Sequence, residues 1–392
     1  MNESTSHSHG TVLETHHAYT LFGQIAAGGM ATIRLAKQVG PHGLSQIVAV
    51  KKVHGRWAQD RDVATMFRDE IRVASRVLHP NVVKVLDVMA AKDELLLVVE
   101  YVHGESVARL LRARRHAMPV KIACTIMVGV LHGLHAAHEA RSERGEPLHI
   151  IHRDVTPQNI VVGVDGSARL LDFGIAHALG RIQTTRFGQV KGKLAYMAPE
   201  QLRCEPVDRR ADIYSAAVTL WEMLAGRKLF NGRNQHELTQ MILRHPIEAP
   251  GRLRPGLSPE LDAIVLRGLQ RERQNRYKTA RELAIALERE TETVSATVLG
   301  DWVSQVWGAG RVAREEQLRE IENAEGTVYL VRPGSAGGDR VRARTPRETA
   351  SPRRGTLPRE QRHDAKEPST ASTVALARVK QDVAVVAPPR PG

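Results

Sequence analysis

Short runs of branched aliphatic residues crowd the first hundred positions of the chain. Val48-Ala49-Val50 and Leu95-Leu96-Leu97-Val98-Val99 have the continuous apolar character of strands buried on both faces. Further on, Gly163-Val164-Asp165-Gly166 separates Ile160-Val161-Val162 from Ala168-Arg169-Leu170-Leu171, which predicts a hairpin. After position 200 the period lengthens to that of helices. Ser258-Pro259-Glu260 offers an N-cap followed by proline at the first helical position, and Thr279-Ala280-Arg281-Glu282 opens a helix to about Arg289 with a capping box. A strand-rich beginning and a helix-rich end predict an α+β chain of two lobes. Residues 1–18 read as a loose leader. Residues 291–330 read as a linker carrying one charge-laced helical stretch, Val312 to Ala324. Beyond 331, Pro, Gly, Ser and Arg dominate, and such a tail buries too little apolar surface to offset its ordering entropy, so it is expected to be disordered.

Composition narrows the class. Of 392 residues, 42% are hydrophobic, enough for a sizeable core, but only 4% are aromatic, so that core must be aliphatic. No run approaches the ~18–20 uncharged apolar residues of a membrane span, and the His- and Ser-rich start is unlike a secretory signal. Cys124 and Cys204 form neither a disulfide framework nor a metal motif. The expectation is a cytoplasmic protein without a membrane span. The net charge of +13 suggests a nucleic-acid partner until its distribution is read: residues 331–392 hold 13 Arg/Lys against 6 Asp/Glu, so the first 330 carry only +6. No specific nucleic acid is expected.

Five features bear chemistry, in a fixed order. Ile25-Ala26-Ala27-Gly28-Gly29-Met30-Ala31-Thr32-Ile33 is a small-residue turn after an apolar run, where backbone N–H groups approach a phosphate unobstructed. Lys51 ends the apolar run Val48-Ala49-Val50, and a lysine there calls for a partner for its ammonium; Glu70 is one candidate. His152-Arg153-Asp154-Val155-Thr156-Pro157-Gln158-Asn159, Asp172-Phe173-Gly174 and Ala198-Pro199-Glu200 complete the set.

On these motifs, over residues 19–290, the chain resembles the eukaryotic-like (Hanks-type) serine/threonine protein kinases of bacteria. The resemblance implies a bilobal protein-kinase fold with a small lobe at about 19–101 and a larger helical lobe at about 102–290. It implies phosphoryl transfer from ATP, with Mg²⁺ or alternatively Mn²⁺, to serine or threonine of protein substrates, and transient self-association for autophosphorylation. Lys51 then pairs with the α/β-phosphates and with Glu70, Asp154 accepts the hydroxyl proton, and Asn159 and Asp172 hold the metals. Ile25, Gly28, Gly29, Ile33 and Ala49 cover the nucleotide, Glu100 and Val102 belong to the adenine-binding hinge, and Val161 lies beneath the ring. Asp212 braces the catalytic loop, and Glu200 and Arg276 form a buried ion pair.

The sequence departs from this pattern at three places. Ala26 and Ala31 replace glycines of the nucleotide loop. Thr156 stands where the family has a catalytic-loop lysine, and Lys193 where the activation segment has a threonine. The two changes read together as an exchange in which Lys193 supplies the cation beside Asp154. They also remove the usual marker separating serine/threonine from tyrosine specificity. Arg153 before Asp154 implies control by phosphorylation of the activation segment, with Thr184 and Thr185 as acceptors. Two other readings compete: a small-molecule phosphotransferase, against which the 192–200 segment and Asp212 argue, and a scaffold that binds nucleotide only structurally.

Overall fold

The computed structural model describes residues 18–27, 31–40, 43–53, 71, 73–91, 94–114, 116–172, 191–324 and 329–330. Of the expected positions, Gly28, Gly29, Glu70, Thr184, Thr185 and the 331–392 tail lie outside them.

The apolar runs near the start form an antiparallel sheet. Strands β1 (Ala18–Ala27), β2 (Ala31–Val39), β3 (Ser45–Val53), β4 (Val85–Ala91) and β5 (Glu94–Glu100) pair in the order β4-β5-β3-β2-β1, so β3 is central. Its register sets Lys51 opposite Ile33 on β2 and Leu97 on β5. Tyr19, Val48, Val50, Met89 and Val98 belong to a small apolar core on this sheet. Ala18, assigned to the leader from the sequence, pairs with Val39 in this sheet.

The larger lobe is built on helices. After β6 (Gly104–Ser106) come α1 (Val107–Arg114) and α2 (Val120–His138), then the hairpin β7 (Ile160–Gly163) and β8 (Ala168–Leu170), in which Val162 faces Ala168. Helices α3 (Arg210–Ala225), α4 (Gln235–Arg244), α5 (Pro259–Gly268) and α6 (Ala280–Glu290) follow. Ser258 and Thr279 cap α5 and α6 through their side chains. The Glu282 carboxylate turns to the N–H of Lys278 rather than of Thr279. α2 is long and apolar enough to cross a membrane by length and composition, contrary to the sequence expectation. Here it is a core helix: Ile122, Ile126, Met127, Val130, Leu131 and Leu134 are buried. Gly133 lets it close on the segment before β4, since a Cβ there would stand 2.7 Å from the Asn81 carbonyl.

Residues 291–330 are not a simple linker. They form two helices, α7 (Ala296–Trp307) and α8 (Ala309–Asn323), and strand β9 (Tyr329–Leu330), which extends the small-lobe sheet by pairing with β1. The spacing of Leu299, Trp302, Val303 and Val306 already has a helical apolar stripe, and Leu299 and Val303 enter the large-lobe core.

Candidate active site

The loop after α2 is held by one carboxylate. Asp212, fully buried on the first turn of α3, accepts the backbone N–H groups of His152 (2.8 Å) and Arg153 (2.7 Å), and the Nε2–H of His138 (2.8 Å). Two successive amides can aim at one anion only if the chain turns sharply, and Arg153 is left-handed at φ +63°. That conformation costs a non-glycine residue of order 1 kcal/mol, which charge-assisted bonds to a buried anion offset. Burial opposes ionisation of Asp212, yet the hydrogen bond and charge of His138 and the loop amides outweigh it and hold the carboxyl below its usual range.

His152 ties this loop to the strand end that carries Asp172. Its Nε2–H donates to the Leu171 carbonyl at 2.8 Å, and its Nδ1 accepts from the Asp154 amide at 3.2 Å. Asp172 is itself left-handed at φ +59°. The Leu171 amide donates to the Asn159 carbonyl, closing the same unit.

Four charged side chains and one amide meet there. Lys51 Nζ lies 2.8 Å from Asp172 Oδ2, and Lys193 Nζ lies 2.6 Å from Asp154 Oδ2. Asn159 Nδ2 donates to the same Asp154 oxygen at 2.7 Å and to the Asp154 carbonyl at 2.8 Å. Both of these carboxylate contacts fall on Oδ2 of Asp154. Burial pushes the Asp172 carboxyl up, but Lys51 above all, and then Lys193, hold it below its usual range. Lys51 thus comes from the small lobe and Asp154, Asn159 and Asp172 from the large one, and the Lys51–Asp172 pair joins the two.

The other expected positions surround it. Ile33 and Ala49 lie on adjacent strands, and Ile25 sits near the end of β1. Glu100 closes β5; its backbone N–H donates to the Lys84 carbonyl, and the Lys84 N–H donates to the Glu100 carboxylate. Val102 follows in the crossing between lobes, and Val161 lies on β7 opposite Ser106. Among the described residues no three His, Cys, Asp or Glu side chains cluster as a closed metal cage. An open pair of oxygen donors, Asn159 and Asp172, suits Mg²⁺, which keeps waters and takes phosphate oxygens as further ligands.

Below the cleft, Arg276 forms a bidentate pair with Glu200 at 2.7 Å through each nitrogen, and its remaining donors reach the carbonyls of Gln270, Arg210 and Arg271. The sequence alone did not mark His138 or the Tyr196–Glu222–Lys228 cluster. Tyr196 donates to the buried Glu222 at 2.8 Å, and Lys228 pairs with Glu222 at 2.9 Å. A histidine in an apolar helix reads as filler, and only the fold reveals its partner.

Comparison with known proteins agrees with this architecture. Residues 19–285 match the protein kinase domain family. A tyrosine-protein kinase, MasK of Myxococcus xanthus, is 35% identical over 83% of this chain and 52% of its own length. Serine/threonine-protein kinase PknB of Mycobacterium leprae is 32% identical over 69% of this chain and 42% of its own. The chain spans about half or less of these curated relatives. The crystal structure of the Mycobacterium tuberculosis PknI kinase domain superposes with a TM-score of 0.54 at 26% identity, covering 70% of this chain and 96% of that one. The chain belongs to the protein kinase family.

Proposed function

We propose that this protein transfers the γ-phosphoryl group of MgATP to serine and threonine hydroxyls of cytoplasmic proteins, itself included. The observation that carries the reading is the convergence of Lys51, Asp172, Asn159, Asp154 and Lys193 within hydrogen-bonding distance in two linked groups. Lys51 holds the α/β-phosphates, with Ile25, Gly28, Gly29, Ile33, Ala49 and Val161 enclosing the nucleotide and Glu100 and Val102 offering backbone groups to adenine. Asp154 orients the acceptor hydroxyl and takes its proton through Oδ1 as the oxygen attacks phosphorus. Asn159 and Asp172 would hold Mg²⁺, whose contribution is to neutralise charge on the phosphate oxygens. Lys193 places a further cation beside Asp154, in the role the family gives to a lysine at the position of Thr156. Arg153 answers a phosphate on Thr184 or Thr185, and Glu70 is the second partner of Lys51.

Incubation of purified protein with γ-labelled ATP, Mg²⁺ and a protein acceptor tests this directly. Label is expected in phosphoserine and phosphothreonine, with a loss of roughly 10²–10⁴-fold in Asp154→Asn, the usual cost of losing a general base. An unaffected variant refutes the mechanism. A second reading, tyrosine as acceptor, is favoured by the name of the 35%-identical relative and by the Thr156 and Lys193 departures; phosphoamino acid analysis of the same product separates the two.

A further inference from the structure

The segment after the family-matched region embraces both lobes. Helix α7 packs on α1, β6 and β7 of the large lobe. Its approach to the β7–β8 turn is close enough to require two glycines. A Cβ on Gly166 would lie 1.8 Å from the Ala296 carbonyl, and one on Gly300 would lie 2.2 Å from the Val164 carbonyl. A single positive-φ residue, Gly308 at φ +55°, then joins α7 to α8. Helix α8 packs on β2 and β3 of the small lobe, Ile321 is buried, and the Glu322 carbonyl accepts from Lys37 at 2.7 Å. β9 adds to the sheet edge at β1.

Between these anchors the segment lies against the crossing that joins the lobes. The Trp307 and His103 rings stand 5.2 Å apart, and His103 Nε2 is 3.6 Å from Glu315 Oε1. Glu315 is also held by Arg311 at 2.5 Å, and Arg314 lies beside the Tyr101 hydroxyl. The crossing is pinned to the large lobe as well, since the His103 carbonyl accepts from the Val164 amide at 2.9 Å. Residues 101–103 are therefore gripped from the strap side and the lobe side together.

We propose that α7, α8 and β9 form a strap that fixes the angle between the lobes, and that Trp307 and Glu315 are positioning residues acting on nucleotide binding through His103. The proposal rests on the kinase reading only in taking residues 100–102 as the adenine-binding crossing. A lobe rotation about this crossing must either break the α7 contact below or the α8–β9 contact above, because one residue joins them. Loosening the grip lets the crossing sample geometries that bind nucleotide poorly, without touching the phosphates or the acceptor.

The test uses the full chain with Trp307→Ala, Trp307→Phe and Glu315→Ala. An aromatic ring pair contributes enough that its loss corresponds to about a two- to tenfold change. Trp307→Ala is expected to raise KM for MgATP by roughly that factor, leaving kcat and acceptor KM within about twofold, and Trp307→Phe should restore most of it. An unchanged nucleotide KM in folded Trp307→Ala overturns the proposal, as does a fall in kcat alone. If Trp307→Ala does not fold, Glu315→Ala is judged by the same split. Should the unaltered protein neither bind nor turn over MgATP, the kinase reading fails separately. The strap is then judged by hydrogen exchange at amides 100–104, which must quicken in the variants if the strap grips the crossing and is refuted by unchanged exchange.

Discussion

Replacing Lys193 by threonine separates a catalytic cation from a structural one. The ion pair with Asp154 is short, 2.6 Å, but the lysine side chain is 52% exposed while the aspartate is 6% exposed. A half-exposed pair is screened by water and contributes only about 0.2–1 kcal/mol to folding. Asp154 also keeps its bond from Asn159. The melting temperature should therefore move by no more than roughly 2 °C in a chain of this size. Loss of a preorganised cation facing charge that develops in the transition state costs far more, about 10²–10³-fold in kcat. Stability nearly constant with a large fall in kcat is the signature expected.

The double variant Thr156→Lys/Lys193→Thr returns the cation to the catalytic loop. Contacting residues that share one function are non-additive, so the double variant should recover to within roughly tenfold of the unaltered enzyme while each single change slows it. The assay is steady-state phosphorylation at saturating MgATP beside thermal unfolding of the same preparations. Additive losses in the double variant refute the exchange. A Lys193→Thr enzyme with unchanged kcat refutes the role of Lys193 altogether.

Three further outcomes follow from the geometry. Arg276→Met strands the Glu200 charge and three carbonyls inside the large lobe, and should cost about 3–5 kcal/mol in urea unfolding; adding Glu200→Leu should recover much of it, and a single-variant cost below about 1 kcal/mol contradicts the buried-charge argument. Asp212 and Asp172 have carboxyls held below their unfolded value of ~3.9, so their contribution is complete above that value and is lost as pH falls through the lower folded one. The acid limb of the stability–pH curve should accordingly flatten in Asp212→Asn, and thermal melts between neutral and strongly acid pH would show an unchanged limb if the assignment is wrong. Gly166→Ala meets both a left-handed φ of +75° and the Ala296 carbonyl, whereas Gly256→Ala, at φ +93°, meets open space; the first should lose about 1–3 kcal/mol more than the second, and equal losses would mean that α7 gives way without cost.

Much of this arrangement was legible because chemistry dictates residue type. Asp154, Asn159 and Asp172 carry the oxygen-bearing side chains that the proposed phosphoryl transfer calls for, and the order of their motifs marks the family before any coordinates. The β7–β8 hairpin and the Ser258 and Thr279 caps were equally readable, since a glycine turn and a hydroxyl before a helix act locally. What escaped acts at long range. α7 has a visible apolar stripe, but its docking depends on Gly166 and Gly300, 134 positions apart, each harmless alone. His138 serves Asp212 from 74 residues away. The contact of Lys51 with Asp172 is likewise fixed by the meeting of two lobes, and no local pattern announces it.

The proposed relocation of a cation from the catalytic loop to residue 193 is physically tolerable only if its new carrier is held as firmly as the old one. The catalytic loop is fixed by the Asp212 carboxylate, buried and thrice hydrogen-bonded. The turn bearing Lys193 has an equivalent anchor on the same helix, α3. The Lys193 carbonyl accepts the Tyr196 amide at 3.1 Å, the Tyr196 carbonyl accepts from Ser215 at 2.7 Å, and the Tyr196 hydroxyl binds the buried Glu222. Asp212, Ser215 and Glu222 thus lie along one buried helix and hold both loops to a common frame. The transition state senses a positive charge at a place and not the loop that brings it there. Two loops registered on one helix can exchange that charge where two independently placed loops could not.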